Sequence, residues 1–476
     1  MSINQKGFLT VWVLVFGAVF IIMLVGITGF LASQIKHHQS IKSKNLALQI
    51  AEAGINYARW HLAHDDGDFS FGGVYDYKDP ESGNIGKYNL EITAPGGCMA
   101  AVQVKSTGWK NNDESNQRII KMNYAKPALA KYGFLTNSNA WFGEFEELKG
   151  PFHSNGGVRM DGSQNSLSTS AKSIYICGTE HGCSQTACNS PCIWKSGPKQ
   201  CECPGIWGAG QGGVDGLWQF PSPNIDFNAL TQDLSNLKTL AQTSERYFAP
   251  SSSGLGYHIV FLADGSFNIF QVTSLYPAVW GYNGTSWVSE SNDIQTEAIL
   301  GNVVLPVNCA PIFIEDNLWV EGAVLGRATV IAARLPDLAS TNAKIIIPNN
   351  ITYVNSDSAL GLIAQKDVLI SLRSPDNLQI RATMLAQKGH VFRYYYAYSS
   401  NEPFKTYAIR NRIETYGSII SNTMWTFTWA DGGNNVISGY KITSMNYDSD
   451  LTFNPPPHFP TSGDYEVIRW QELRVP

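Results

Sequence analysis

Charge is what this chain has least of. Only 15 % of its 476 residues are charged, with 34 Lys and Arg against 39 Asp and Glu. The net charge of −5 leaves no basic footprint, which argues against nucleic acid as a partner. Short catalytic signatures are missing too: there is no Gly-x-Ser-x-Gly, no His-Glu-x-x-His and no phosphate-binding glycine loop. What the chain has instead is punctuation. Its 43 glycines and 22 prolines favour strands and turns over long helices. The length exceeds what one core can organise, so two or three domains are expected.

One segment breaks that texture. From Phe8 to Leu31 no residue is charged, and about 20 apolar residues suffice to cross a bilayer. A buried core helix rarely takes the form of so long an N-terminal run. A cleaved secretory signal is the more serious rival, with Phe30-Leu31-Ala32-Ser33 as its cleavage region. Its apolar part would normally be only roughly 7–15 residues long. Beyond the run, Leu31, Ile35, Ile41, Leu48, Ala51, Ile55, Ala58 and Leu62 recur at spacings of three, four and seven with one slip. That pattern predicts a continued helix with one apolar face. The face needs cover, either from the protein's own β-domain or from the helical core of a filament.

Lys6-Gly7-Phe8 followed by an apolar helix resembles a type IV prepilin leader. The stretch Ala47-Leu48-Gln49-Ile50-Ala51-Glu52-Ala53-Gly54-Ile55 resembles the end of the N-terminal region of PilX-like minor pilins. The resemblance covers about the first 60 residues. It implies cutting between Gly7 and Phe8 by a prepilin peptidase, insertion in the inner membrane with the N-terminus inside, and other pilin subunits as partners. A count of Lys and Arg alone favours the opposite insertion, since Lys6 precedes the span and Lys36, Lys42 and Lys44 follow it. One position departs from the family. Major pilins carry glutamate at the fifth residue after the cut, and here that residue is Trp12. The resemblance therefore implies a minor, tip or initiating component in place of the bulk subunit.

Past the helix, Tyr88–Ile92, Ala101–Lys105 and Arg118–Met122 read as strands of a small β-domain. Near Lys126-Pro127 the texture changes to short apolar segments ending in turns. Gly150-Pro151-Phe152-His153-Ser154-Asn155 and Gly417-Ser418-Ile419-Ile420-Ser421-Asn422 share the pattern Gly-x-apolar-x-Ser-Asn, and Leu362–Ile370 aligns with Met384–Phe392. Such repeats predict a parallel β-solenoid in which each rung buries its apolar residues by stacking on the next; a β-sandwich is the alternative. If the Ser-Asn repeat is structural, the Gly150 segment belongs to the same stack and the region between is an insertion. Within it, Asp226 is placed to cap a helix running to about Gln242, with Leu230, Leu234 and Leu237 on one face. Asp264-Gly265 between Tyr257–Ala263 and Ser266–Val272 is a hairpin signal.

Six of the eight cysteines crowd one window: Cys177, Cys183, Cys188, Cys192, Cys201 and Cys203. In a head outside the membrane this reads as a disulfide staple for a loop with little core, and six cysteines leave 15 pairings open. Cys201 and Cys203 are too close to bond to each other without strain. The alternative, zinc with help from His181, lacks two Cys-x-x-Cys halves. His153 beside Ser154 reads as a core or turn histidine. Asp448 and Asp450, near Asn446, lack a complete calcium loop. The Asn-x-Asp, Asp-Asp and Gly-His-Gly patterns of solenoid pectin-degrading enzymes do not occur as a set in the C-terminal half, and Asp65-Asp66 lies too near the helix to serve a glycosidase. Two aromatic runs, Tyr394-Tyr395-Tyr396-Ala397-Tyr398 and Trp425-Thr426-Phe427-Thr428-Trp429, either close the end of the solenoid or stack on sugars or a partner.

The expected fold is mainly β with a long N-terminal α-helix, a small β-domain and a solenoidal head. The expected divisions are a leader (1–7), a transmembrane helix (8–31), its continuation (32–64), the small β-domain (65–126), the start of the head with the Cys-rich insertion (127–298), the solenoid (299–430) and an extended C-terminal tail (431–476). The expected function is that of a structural minor pilin or pseudopilin assembling into or capping a fibre. No enzyme activity, cofactor or metal is expected. The alternative is a surface adhesin for carbohydrate or another cell.

Overall fold

The computed structural model describes residues 5–473, apart from residues 66, 82, 97, 99–100, 145, 228, 307–308, 398–403 and 432–434, and it leaves the side chains of residues 5–10 and 229–233 undescribed. Tyr398 and the first four residues of the leader thus fall outside the described residues. The chain divides into two compact units: Met1–Pro95, Ala101–Ala125 and Asp464–Pro476 form one, and Gly96–Ala100 with Lys126–Gly463 the other.

In the first unit one helix, Gln5–His64, runs without a break. Its 60 residues correspond to about 90 Å at 1.5 Å per residue. The C-terminal part lies on an antiparallel sheet whose strands, in spatial order, are Gly73–Asp79, Gly83–Thr93, Val102–Lys110, Asp113–Ala125 and Glu466–Leu473. Ala47, Ile50, Ala51, Gly54, Ile55, Ala58 and Leu62 are buried on it, a stripe at spacings of three, one and four. They meet Tyr88, Leu90, Val102, Val104, Ile120, Met122 and Tyr124 from alternate positions of the strands. The small residues have a steric cause. A Cβ on Gly108 would fall inside contact distance of the Ala51 amide and the Ala47 carbonyl, and one on Gly54 would strike Ser106 and Tyr88. The Ala-Glu-Ala-Gly stretch is thus the surface by which helix backbone and sheet backbone approach each other.

The C-terminal residues correct one expectation. Residues 431–476 are not an extended tail. Val436–Tyr447 is a strand of the second unit, paired in parallel with Ile409–Gly417, and Glu466–Leu473 completes the first unit's sheet, antiparallel to Asp113–Ala125. Arg118 and Glu472 form an ion pair across that last pairing. Only the free edge of a sheet made more than 300 residues earlier could reveal the second strand's place.

The second unit is built from short parallel strands. Segments at 168–170, 152–154, 134–136, 419–421, 383–386, 361–364, 329–332 and 312–314 lie side by side in that order. Residues 218–219 extend the column at the first end and residues 247–248 at the other. A second column holds 425–426, 391–392, 368–370, 345–347, 318–319 and 257–258, also parallel. These parallel ladders are not those of an antiparallel β-sandwich.

From 312–314 to 152–154 the strands of the first column are buried on both faces. Ile312, Ile314, Val330, Leu362, Met384, Ile419, Phe134 and Phe152 turn into the inner core. The alternating Phe313, Ile331, Ile363, Leu385, Ile420 and Leu135 turn outward into a second cluster shared with Leu129, Leu451, Phe459 and with Leu234, Leu237 and Ala241 of the helix Ala229–Thr243. Full burial of such a side chain is worth about 1.5–3 kcal/mol, so rungs of three or four residues hold through their neighbours. The helix starts three residues after Asp226, which therefore does not hold the position immediately before it. The hairpin at Asp264-Gly265 is present, with Tyr257 opposite Gln271 and Gly265 at φ +86°.

The repeats mark real neighbours, with one slip. Leu362 pairs with Met384 and Ala364 with Ala386, at the aligned offset, but Val368 pairs with Val391, one residue later. The turn Gln387–His390 takes up that extra residue. In the Ser-Asn repeat, Ile419 pairs with Phe134, which pairs with Phe152. The asparagines form a ladder: Asn137 Nδ2 donates to Asn422 Oδ1 at 2.8 Å and Asn155 Nδ2 donates to Asn137 Oδ1 at 2.7 Å. The Gly150 segment is therefore in the stack. The expected division at 298/299 cuts the strand Ile294–Val304, whereas the stacked strands begin at Phe134. The aromatic run at Trp425 ends the second column, while the first column continues past it through 134–136, 152–154 and 168–170; Trp425 packs on Phe134, Phe142 and Phe152 at 5.5–6.1 Å.

Two predictions follow from this packing. Gly108→Val should force the helix off the sheet at a cost of about 1–3 kcal/mol, read as earlier thermal unfolding of the detergent-solubilised chain and faster proteolysis between residues 47 and 62. An unchanged midpoint would show that the close approach is not required.

His153 is buried in the column, with Nδ1 2.8 Å from Thr169 Oγ1 and Nε2 3.0 Å from Asn155 Oδ1. Burial holds its pKa below the ordinary 6.5. The unfolded ring takes a proton near pH 6.5, while the folded ring resists it to lower pH. Its stabilisation is therefore complete above about pH 6.5 and lost as the pH falls through the folded value. Glu146, Asp293 and Glu321, raised by burial, oppose this trend as they take up protons. Comparison with His153→Gln isolates the histidine: the stability advantage of the native chain should shrink between about pH 7 and pH 5. A constant difference would mean that His153 titrates normally.

Candidate functional site: an apolar helix surface and an aromatic groove

The helix has two halves of opposite character. From Val11 to Gln39 every residue is exposed, among them Leu14 at 72 % and Ile22 at 70 %. A window of mean hydropathy 2.7 in this helix is long and apolar enough to cross a membrane. Of the sequence-derived stripe, Ala51, Ile55, Ala58 and Leu62 are buried on the sheet, Leu48 is half-buried, and Leu31, Ile35 and Ile41 stay exposed. Gly7 and Phe8 lie within the helix, their side chains outside the described residues. Trp12 is 48 % exposed and stacks on Phe16 at 5.5 Å.

In the second unit the clustered cysteines pair as Cys177–Cys183, Cys188–Cys201 and Cys192–Cys203. They sit around a small antiparallel sheet, Ile174–Cys177, Gln200–Pro204 and Ile193–Lys195. The buried centre of this region consists of Tyr175 and the sulfurs of Cys177, Cys183, Cys192, Cys201 and Cys203. Closing loops of 6–13 residues stabilises by about 2–3 kcal/mol per bond in the chain-entropy picture. The sulfurs crowd closely enough to resemble a metal cage, yet each is spent in a disulfide. His181 turns to Glu180 instead, Nδ1 3.3 Å from the carboxylate, and burial keeps its pKa below the usual value.

Sequence reasoning missed a fourth bond, Cys98–Cys309, which spans 211 residues. Two lone cysteines in a chain whose others are clustered were its only signal.

Where the chain's early and late rungs meet, they enclose a groove of about 760 Å³. Trp141, Phe142, Asn139 and Glu146 come from the early rungs; His390, Met424, Trp425 and Trp429 come from the late ones. Two of its three tryptophans are fixed through their edges. Trp141 Nε1 donates to Asp161 Oδ2 at 2.9 Å, with the Arg159 guanidinium 4.7 Å from its ring centre, and the ring remains 43 % exposed. Trp429 Nε1 donates to the Arg393 carbonyl at 2.8 Å and meets Tyr282 and Tyr395 edge-on. Glu146 reaches water but stands in a recess, and the surrounding protein raises its pKa above the usual carboxylate range despite a 2.8 Å bond from the Gly143 amide. His390 Nδ1 is 3.2 Å from Asp367 Oδ1, which leaves Nε2 as its other polar atom. Of this groove only the Trp425–Trp429 run was visible in the sequence; Trp141 and Glu146 carried no pattern.

No protein-family model matches the chain, and no curated protein does. Among solved structures the chain is similar to the competence-associated pilin ComZ from Thermus thermophilus, at 10 % identity over 90 % of this chain and 97 % of that one, with a TM-score of 0.25. So low a score leaves any role to be argued from this chain's own residues.

Alkylation tests the sulfur chemistry. Iodoacetamide applied to the denatured, unreduced chain should label no cysteine, because among the described residues none is free. Reduction should expose all eight, and hydrogen exchange should then rise first over residues 174–204. Stoichiometric thiols before reduction would overturn the pairing.

Proposed function

We propose that this chain is a PilX-like minor pilin or pseudopilin, a structural subunit held in the inner membrane by its N-terminal helix with the N-terminus inside. The observation that carries the reading is the division of that helix: an apolar half with no cover of its own precedes a half packed on the unit's own sheet. A helix apolar all round at one end is stable in lipid or among other apolar helices. Both environments suit a subunit that passes from a bilayer into a fibre beside other pilin subunits. The Lys6-Gly7-Phe8 sequence supports cutting by a prepilin peptidase between Gly7 and Phe8. Trp12 in place of an acid avoids burying an unpaired carboxylate, which costs several kcal/mol, and forgoes attraction to a neighbour's amino terminus. That supports a tip or rare position in the fibre over the bulk of it. The parallel stack of the second unit would be a solenoidal head displayed outward, with a structural and not an enzymatic task.

The groove supports a second reading for the head, a surface adhesin for carbohydrate or another cell. Anchoring and recognition are compatible in one chain.

N-terminal sequencing of the protein recovered from its native membrane tests the first reading. The mature chain should begin at Phe8, and Gly7→Ala should leave the precursor uncut. A mature end near Ser33 would mark an ordinary secretory signal and remove the pilin assignment.

A further inference from the structure

We infer that the groove between the early and late rungs is a saccharide-binding site, selective for short oligosaccharides that are uncharged or carry amines. This deepens the adhesin reading and is independent of whether the helix enters a fibre.

The first argument is the presentation of the rings. Two of the three indole N–H groups are already bonded, Trp141 to Asp161 and Trp429 to a main-chain carbonyl. What the groove offers a ligand is therefore ring surface, held in orientation by those bonds. Trp425, anchored among Phe134, Phe142 and Phe152, belongs to the same wall. Rigid aromatic surface binds at little cost in side-chain entropy. A pyranose presents such surfaces with a patch of C–H groups while its hydroxyls point to the sides.

The second argument is the polar complement. Glu146, Glu180, His181 and His390 line the groove together with Asn139 and hydroxyls such as Thr285. These are the donors and acceptors that hydroxyl groups need, few and set among apolar walls as in small-ligand sites of about 300–1,000 Å³. Among the described residues no lysine or arginine lines the groove; Arg159 stacks on the Trp141 ring and Arg393 offers Trp429 its main-chain carbonyl. With carboxylates and no cation, the groove disfavours phosphate, sulfate and uronate groups and accepts an ammonium. A phosphate-bearing ligand would require the opposite charge pattern.

The third argument is location. The groove lies at the junction of residues 134–142 with residues 419–426, strands that are distant in sequence and adjacent in the stack. Trp141, Phe142, Trp425 and Trp429 stand on paired strands, whereas Glu146, Glu180, His181 and His390 stand on turns, so the aromatic wall is the part of the site held by the stack.

Titration calorimetry on the full detergent-solubilised chain tests this with maltotriose, cellotriose, the N-acetylglucosamine trimer, the glucosamine trimer and the galacturonate trimer. At least one neutral or amine-bearing trimer should bind, and the galacturonate trimer should not. Trp141→Ala and Trp429→Ala should each weaken that binding by about tenfold or more, with disulfide content and thermal midpoint retained. Trp141→Phe, which keeps a ring, should recover part of the affinity even if the alanine variants fold poorly. Binding of the acidic trimer alone, no binding by any neutral or amine-bearing trimer, or affinity indifferent to both tryptophans would overturn the proposal. None of these results bears on where the N-terminus is cut, so the two readings fail separately.

Discussion

A strand of three residues has too little surface to bury and too few hydrogen bonds to hold itself, and the first column of the second unit includes such strands at 134–136, 152–154, 168–170 and 312–314. These short strands depend on parallel pairing to a neighbour on each side. That is why Ile, Leu, Val and Phe fill both faces of the column from 312 to 421 instead of alternating with polar residues. It is also why the corners carry Asn and Gln. Asn137, Asn155 and Asn422 bond along the stack direction, and buried Gln365 accepts from the Arg334 and Ala343 amides and donates to the Arg334 carbonyl. A buried amide left unpaired would cost about 1–3 kcal/mol, so these ladders reward correct register and penalise a slipped one.

The first unit meets the opposite condition. Its helix is longer than any sheet it lies on, and its sequence separates two tasks along one axis. Over 47–62 the apolar face is narrow and made of small residues, which fits one sheet face at close approach. Over 11–31 there is no comparable narrowing, and the exposed surface carries no charge and is apolar on nearly all sides. A narrow stripe specifies a single partner with defined geometry; an all-round apolar surface specifies a medium.

Much of this was legible because it rests on local periodicity. The stripe from Ala51 to Leu62 follows the helical repeat, and the 362–370 and 384–392 segments advertise their stacking by side-chain type. The slip at Val391 was not legible, since one extra residue in a turn alters the register without altering the pattern of apolar residues. Long-range closure was hidden altogether. Cys98 finds Cys309, and Glu466–Leu473 finds Asp113–Ala125, because folding brings together edges that no spacing rule links. The groove belongs to the same class. Trp141 and Trp429 are 288 positions apart in the sequence, and only the seam between early and late rungs makes them one surface.

That seam also sets an order in time. The chain enters the stack at residue 134, builds outward to 170 and 219, crosses to the opposite end at 247, and returns to close against its starting strand at 421. A chain emerging from its N-terminus therefore holds one edge of its first rung unpaired until nearly all of the second unit has been delivered. An open edge is a template for strands of other chains, and long-range pairing is slow to form. That edge therefore stays open through most of the second unit's synthesis, and a chain truncated anywhere before residue 421 is left with its centre, not merely its end, unfinished.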